Sequence, residues 1–314
     1  MNPLIIVVGP TAVGKTALGV ALAQAIGGEI ISGDSVQIYR KLDIGSAKPT
    51  VEEQQGIPHH LLDCFDPDQP FTVAQFQSMA HACIQDIRSR QKVPIVVGGT
   101  GLYVRSLIDP FDFSEQGSPE IRDTWMTFLN QYGNEALHQA LQKRDPQSAE
   151  RLHPNDTVRI IRALEVCELT GKPFSEQRGT HDYDYPSLAP EVIYIGLTAP
   201  REVIYERINK RCQLMLKEGL LEESQSLLET GYSPRLKPLQ SIGYRHAFWY
   251  LFGKATLPEM SRVFQRDTRH FAKRQLTWFR RDPRITWYDT YNESSAKILE
   301  SLINTCRSLQ SRVK

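Results

Sequence analysis

Gly9-Pro10-Thr11-Ala12-Val13-Gly14-Lys15-Thr16 is a complete G-x-x-x-x-G-K-[ST] loop, and its neighbours give it structural meaning. Leu4-Ile5-Ile6-Val7-Val8 before it reads as a short buried strand, and Ala17 to Ile26 after it reads as a helix. A glycine-rich turn between a strand and a helix start aims successive backbone N–H groups into one concavity. The helix N-terminus adds positive dipole and Lys15 adds a full charge. Residues 9–16 are therefore expected to bind a di- or triphosphate, with the Thr16 hydroxyl available to Mg²⁺. The loop alone names neither the phosphate compound nor its fate.

The surrounding pattern constrains the fold. Glu29-Ile30-Ile31-Ser32 is a second strand, entered through Gly27-Gly28, which end the first helix. Thr72 to Arg90 reads as a helix whose Thr72 and Gln75 have capping-box spacing. Val93 to Val97 and Val192 to Thr198 are further strands, and a long helical stretch follows Pro200. Continuous apolar strands alternating with helices predict an α/β fold: a parallel sheet like that of P-loop NTPases, with helices on both faces. Strand signals vanish over 112–188, where Gly117-Ser118-Pro119, Asp145-Pro146 and Gly171-Lys172-Pro173 punctuate short helices. That stretch is expected to be a mainly helical insertion domain in a core made of 1–111 and 189–314.

Composition removes several classes. No apolar run of the 314 residues approaches a membrane span, and the N-terminus enters a strand with no basic-then-apolar leader, so a cytoplasmic protein is expected. The five cysteines are scattered without a C-x-x-C, which predicts reduced thiols and no zinc site. The net charge of +1 hides an asymmetry, because residues 201–290 hold 17 Lys and Arg against 10 Asp and Glu. A late basic excess on a nearly neutral protein predicts one face for a polyanion.

Three groups of residues carry chemistry. Asp34 and Gln37 follow the second strand, at the sheet edge where ligands bind in open α/β folds. A carboxylate beside bound phosphates gains proton affinity, which suits Asp34 to a general base, although a turn-capping role is equally compatible. Val97-Gly98-Gly99-Thr100 ends another strand where many phosphate-loop enzymes carry a metal-supporting acid. The glycines are expected to leave room for a bulky ligand, and Asp34 or Asp63 remains for the acidic role. Arg207 and Arg211 share a helix face from which an arginine fork could reach a leaving pyrophosphate. Finally, Arg262, Arg266, Arg269, Lys273 and Arg280 fall within roughly a 60° wedge of one helix at about 100° per residue, with Phe264, Phe271 and Trp278 on another face as core. Only Asp267 opposes this cationic ridge, which suits a nucleic-acid backbone.

With these segments assembled, the chain resembles the bacterial-type tRNA dimethylallyltransferase family over nearly its whole length. The carrying segments are residues 9–16, Asp34-Ser35-Val36-Gln37-Ile38-Tyr39, Asp43-Ile44-Gly45-Ser46-Ala47-Lys48-Pro49, Pro58-His59-His60-Leu61-Leu62-Asp63 and Gly98-Gly99-Thr100-Gly101-Leu102-Tyr103. His153-Pro154-Asn155-Asp156, Ser241-Ile242-Gly243-Tyr244-Arg245 and Lys273-Arg274-Gln275-Leu276-Thr277-Trp278-Phe279-Arg280 complete the set. Gly33 and Phe279 depart from the family's usual residues, and neither is a candidate catalytic group.

The resemblance implies transfer of a dimethylallyl group from its diphosphate to the exocyclic amine of the adenosine 3′-adjacent to the anticodon in tRNA. It also implies a Mg²⁺ requirement and a helical insertion over the active site. Within it, Asp34 takes the amine proton, Thr100 orients the amine or Asp34, and Lys15, Arg211 and Thr16-bound Mg²⁺ neutralise pyrophosphate held by Gly9 to Thr16. A stacked base must be extruded to react. Asp34, Ser35, Val36, Gln37 and Thr100 then read it, with the Gln37 amide suited to an adenine edge. Arg122, Arg159, Ile160, Ile161 and Arg162, Gln240 to Arg245 (including Ser241, Ile242, Gly243 and Tyr244), and Lys273 to Arg280 are implied tRNA contacts. The partners are the tRNA anticodon stem-loop and dimethylallyl diphosphate, with no membrane, and a monomer is expected. The competing readings are a phosphate-loop small-molecule kinase, an isopentenyltransferase acting on free adenylate, and an RNA-binding protein without catalysis.

Overall fold

The structure, a computed structural model, describes residues 2–111, 117–176 and 188–312. In chain order it contains β1 (Leu4–Val8), α1 (Lys15–Ile26), β2 (Gly28–Ser32), α2 (Val51–Gln54), β3 (His59–His60), α3 (Val73–Ser89), β4 (Val93–Val97) and α4 (Gly101–Ile108). Then follow α5 (Pro119–Arg144), α6 (Pro146–Arg151), α7 (Thr157–Thr170), β5 (Val192–Thr198), α8 (Arg201–Lys217), α9 (Leu220–Glu229), α10 (Tyr244–Leu251), α11 (Leu257–Phe279), β6 (Thr286–Asp289) and α12 (Ser295–Arg312). Among the described residues no helix is long and apolar enough to cross a membrane.

The strands form one six-stranded sheet in the order β3-β2-β4-β1-β5-β6. Every pairing is parallel; Ile5, Ile6 and Val7 of β1 lie opposite Ile95, Val96 and Val97 of β4. The alternation of a strand sends Leu4, Ile6 and Val8 into one core and Ile5 and Val7 into another. The first core is closed by residues of α3, α4, α8, α10 and α11, and the second by α1 and α12. Burial on both faces is why these strands read as continuous apolar runs. Phe264 and Phe279 anchor α11 in the first core at 2% and 1% exposure, and truncating either to Ala would cost roughly 3–5 kcal/mol.

The helix ends follow from local chemistry. Gly27 at φ 67° closes α1, and the Thr72–Gln75 capping box opens α3. Gly14, at φ 100°, leads into α1, whose first turn has no side-chain cap and no acidic residue. Its N–H donors are therefore left for an anion.

The chain divides into two compact units, Met1–Ile108 with Ser187–Lys314, and Asp109–Pro186. The expected boundary at 112 lies outside the described residues. The second unit is helical, with α5 broken at Gly133 (φ 80°) and a core of Trp125, Leu137, Leu141, Ile160 and Leu164. Asp145, almost fully buried, accepts hydrogen bonds from Ser148 N at 3.0 Å and Ser175 N at 2.8 Å, which joins α6 to the turn at Phe174–Glu176.

Candidate active site

A cavity of about 380 Å³ opens at the carboxyl ends of β1, β2 and β4. All its lining residues belong to the first unit, Lys15, Thr16, Asp34, Thr100 and Arg211 among them. The Lys15 ammonium folds over its own loop and donates to the carbonyls of Gly9 at 3.0 Å and Pro10 at 2.8 Å. Burial, helped by the positive charge of Arg211 and opposed by Asp34, pulls its pKa down to about 7. Arg211, from α8, reaches the loop at the Thr11 hydroxyl, 3.5 Å away, and burial lowers its pKa as well. Two cations share a concavity in which Asp34 is the one carboxylate among the described lining residues. That arrangement favours a ligand carrying several negative charges.

Asp34 follows β2, and its two carboxylate oxygens differ. Oδ1 accepts from Val36 N at 2.8 Å and Gln37 N at 3.4 Å, so the turn-capping role is present. Oδ2 has no hydrogen-bond partner among the described residues. Burial raises the Asp34 pKa, against the pull of those two N–H groups and of Lys15 and Arg211. One oxygen thus fixes the carboxylate and the other is open to take a proton. Thr100, at the end of β4, accepts from Ser35 N at 3.2 Å, which ties the two strand ends together and leaves its own hydroxyl proton to donate.

Several expectations need correcting. Gly98 and Gly99 line the cavity, but the space a Cβ would take at the glycines after β4 is filled by protein. A Cβ on Gly98 would collide with the backbone of Gly33, one on Gly99 with the Gln275 side chain, and one on Gly101 with Trp278. They permit close packing of β2 and α11 instead. Gln275 is an internal brace: its Oε1 accepts from Thr11 N at 2.9 Å and its Nε2 donates to Gly99 O at 3.0 Å. The Gln37 amide is likewise engaged, accepting from Ser32 Oγ at 3.0 Å and donating to the carbonyls of Ser46 and Ala47 at 3.3 and 3.0 Å. Asp63 pairs with Lys48 and does not line the cavity.

The ridge on α11 is also rearranged. Arg262, Arg266, Lys273 and Arg280 are exposed. Arg269 is half-buried, donates to Asn209 Oδ1 at 2.7 Å and lies over the Tyr205 ring, so it joins α8 to α11. Phe264, Thr268, Phe271 and Gln275 line the cavity from the face about half a turn away from the ridge. Phe271 is thus a cavity wall, not core. Arg274 and Arg245 line the cavity too, and Arg245 is held at 2.8 Å by Asp267, which also accepts from Arg266 and His246.

In the second unit, Arg122 Nε and Arg162 Nη1 each lie 2.7 Å from the fully buried carboxylate of Glu165, and Arg159 pairs loosely with Asp156 at 3.6 Å. All three arginines keep surface exposure. Of the other implied tRNA contacts, the side chains of Ile160, Ile161, Tyr244, Gln275 and Phe279 are buried. Gln240, Ser241, Ile242 and Arg245 line the cavity, and Thr277 is exposed.

The model of the family described as IPP transferase matches residues 37–282, and that described as isopentenyl transferase matches 2–67. The chain belongs to the IPP transferase family. It is 72% identical over all 314 residues, the full length of both chains, to a tRNA dimethylallyltransferase of Desulfitobacterium hafniense (strain Y51). Among solved structures it is similar to the tRNA isopentenylpyrophosphate transferase of Bacillus halodurans, with 40% identity, a TM-score of 0.72 and 99% of each chain covered. A eukaryotic dimethylallyltransferase acting on tRNA aligns at 29% identity and a TM-score of 0.76, over 92% of this chain and 74% of that one. The α/β sheet with its surrounding helices is therefore the fold of IPP transferases.

Proposed function

We propose that this protein transfers the dimethylallyl group of dimethylallyl diphosphate to the exocyclic amine of the adenosine 3′-adjacent to the anticodon in the tRNA anticodon stem-loop, acting as a cytoplasmic monomer with Mg²⁺. The observation that carries the reading is Asp34, a carboxylate with raised pKa and one free oxygen, beside a phosphate loop holding two enclosed cations. Family membership and relatives named for tRNA support the acceptor, and they favour neither a kinase nor a free-adenylate enzyme.

In this reading the diphosphate lies on the 9–16 loop. The C1–O bond of the donor breaks, with its electron pair leaving on pyrophosphate. The amine nitrogen forms the new bond to C1, and its proton passes to Asp34 Oδ2. An adenine amine is a poor nucleophile, because its lone pair is delocalised into the ring, so proton removal as the bond forms lowers the barrier. The Thr100 hydroxyl orients the amine, and the loop amides, Lys15 and Arg211 stabilise the charge that develops on pyrophosphate. Thr16, at the first turn of α1 with its hydroxyl unpartnered among the described residues, is the residue that would hold a Mg²⁺ brought in with the diphosphate. When bound, that ion would add further neutralisation of the leaving group. Gln37, already committed to the Ser46 and Ala47 carbonyls, shapes the base pocket more than it reads an edge.

Incubation with labelled dimethylallyl diphosphate and either unmodified tRNA or AMP tests the proposal. Label is expected in tRNA, at the adenosine following the anticodon after digestion. Equal labelling of AMP would move the function to free nucleotides.

A further inference from the structure

Glu223 stands on α9, outside the cavity lining, and its carboxylate gathers four donors from two separate segments. The backbone N–H groups of Asp43, Ile44 and Gly45 donate to it at 3.0, 2.8 and 3.1 Å. The Tyr244 hydroxyl donates at 2.6 Å. Three successive amides around one carboxylate make an anion nest, so the loop conformation and the carboxylate position fix one another. Tyr244 is fully buried, and its ring occupies the space that a Cβ on Gly45 would need.

Each of these segments becomes a wall of the cavity. Gly45, Ser46 and Ala47 form one wall, and Ser241, Ile242 and Arg245 form another. The first wall also holds Gln37 through the Ser46 and Ala47 carbonyls. The phosphate loop is braced elsewhere, by Gln275 and Arg211 on Thr11. We infer that Glu223 is a positioning residue that sets the spacing of the two walls around the extruded adenosine and its neighbours. The inference rests on the tRNA prenyl transfer proposed above. It separates the acceptor end of the cavity, which Glu223 governs, from the donor end, which it does not touch. The loop remains tied at its far end by Lys48, which donates to Tyr39 O at 2.9 Å and pairs with Asp43 and Asp63.

Steady-state kinetics of Glu223→Ala and Tyr244→Phe, with each substrate varied in turn and Tm recorded, test it. Glu223→Ala is expected to raise the tRNA KM at least about tenfold, as loss of several charge-assisted hydrogen bonds warrants. The dimethylallyl diphosphate KM should stay within about twofold, while Tm falls because four donors lose their acceptor. Tyr244→Phe, which keeps the three amides, should raise the tRNA KM by roughly threefold. An unchanged tRNA KM, or a loss spread equally over both substrates, overturns the inference. If Glu223→Ala does not fold, Tyr244→Phe decides: a tRNA-only rise supports the positioning role and no rise refutes it. Activity of the unaltered protein on tRNA, measured alongside, reports separately on the proposed function.

Discussion

Lys15 and Arg211 lie within the cavity, where burial lowers the pKa of both, Lys15 to about 7. Arg262, Arg266 and Lys273 stand on the outer face of α11, exposed to water and about half a turn from the residues that line the cavity. Both groups are cationic, but their surroundings give them different energetics. A desolvated cation held by backbone carbonyls or by a loop hydroxyl acts at short range, is weakly screened and costs little to reorganise as charge develops. A solvated ridge acts through counterion release, so it attracts a polyanion and loses strength with salt. Under the proposed function, the cavity holds the diphosphate and does the chemistry, and the ridge captures RNA outside the reacting centre.

That division is open to attack from several directions. The largest expected effect is that of Asp34→Ala, which should cut single-turnover transfer at saturating substrates by at least about a hundredfold while RNA binding survives. Loss of RNA binding instead would remove Asp34 from the base role. Next is Arg211→Ala, expected to lower kcat/KM by roughly 30- to 100-fold with tRNA affinity unchanged; a purely tRNA-side defect would break the assignment.

The pH dependence is a finer test. A bound diphosphate favours charged Lys15, and free Lys15 is half neutral near pH 7. Above that pH, binding must take up a proton, so diphosphate affinity should fall by up to about tenfold per unit, with proton uptake visible by calorimetry in buffers of different ionisation heat. Asp34 gives the opposite limb. Only its carboxylate form accepts a proton, and its pKa is raised, so kcat/KM should decline with acid from above the ordinary carboxylate range. The smallest effect belongs to the ridge. Lys273→Glu should weaken tRNA binding about threefold at low salt and reduce the salt slope by about one, leaving the diphosphate KM alone. An unchanged salt slope would take the ridge out of RNA binding. Lys273 is a cleaner probe than Arg269, whose bond to Asn209 mixes packing with charge.

The same comparison explains what the sequence could disclose. Strands buried on both faces announce themselves as continuous apolar runs, so β1, β2, β4 and β5 were legible, as was the phosphate loop between β1 and α1. Asp34 and Thr100 followed from the rule that ligands gather at the carboxyl ends of parallel strands. The edge strands β3, of two residues, and β6, of four, are too short to carry a periodic signal. The braces were hidden for another reason. Gln275 meets Thr11 across 264 residues, and Glu223 meets the 43–45 loop across about 180. No local pattern encodes such partners. The glycines at 98, 99 and 101 stand out in the sequence, but what approaches them, Gly33, Gln275 and Trp278, comes from distant parts of the chain. Helical spacing collected the ridge but could not say that it turns away from the cavity, because that depends on which face of α11 meets the sheet.

The central claim is that residues 9–16 hold the diphosphate of a prenyl donor and that no phosphoryl group moves. It is tested most directly by counting products. The protein is supplied with labelled dimethylallyl diphosphate, ATP and unmodified tRNA, and dimethylallyladenosine in RNA, pyrophosphate and ADP are measured together. The account predicts one pyrophosphate for each dimethylallyl group in tRNA and no ADP. ATP turnover without label in RNA would contradict it.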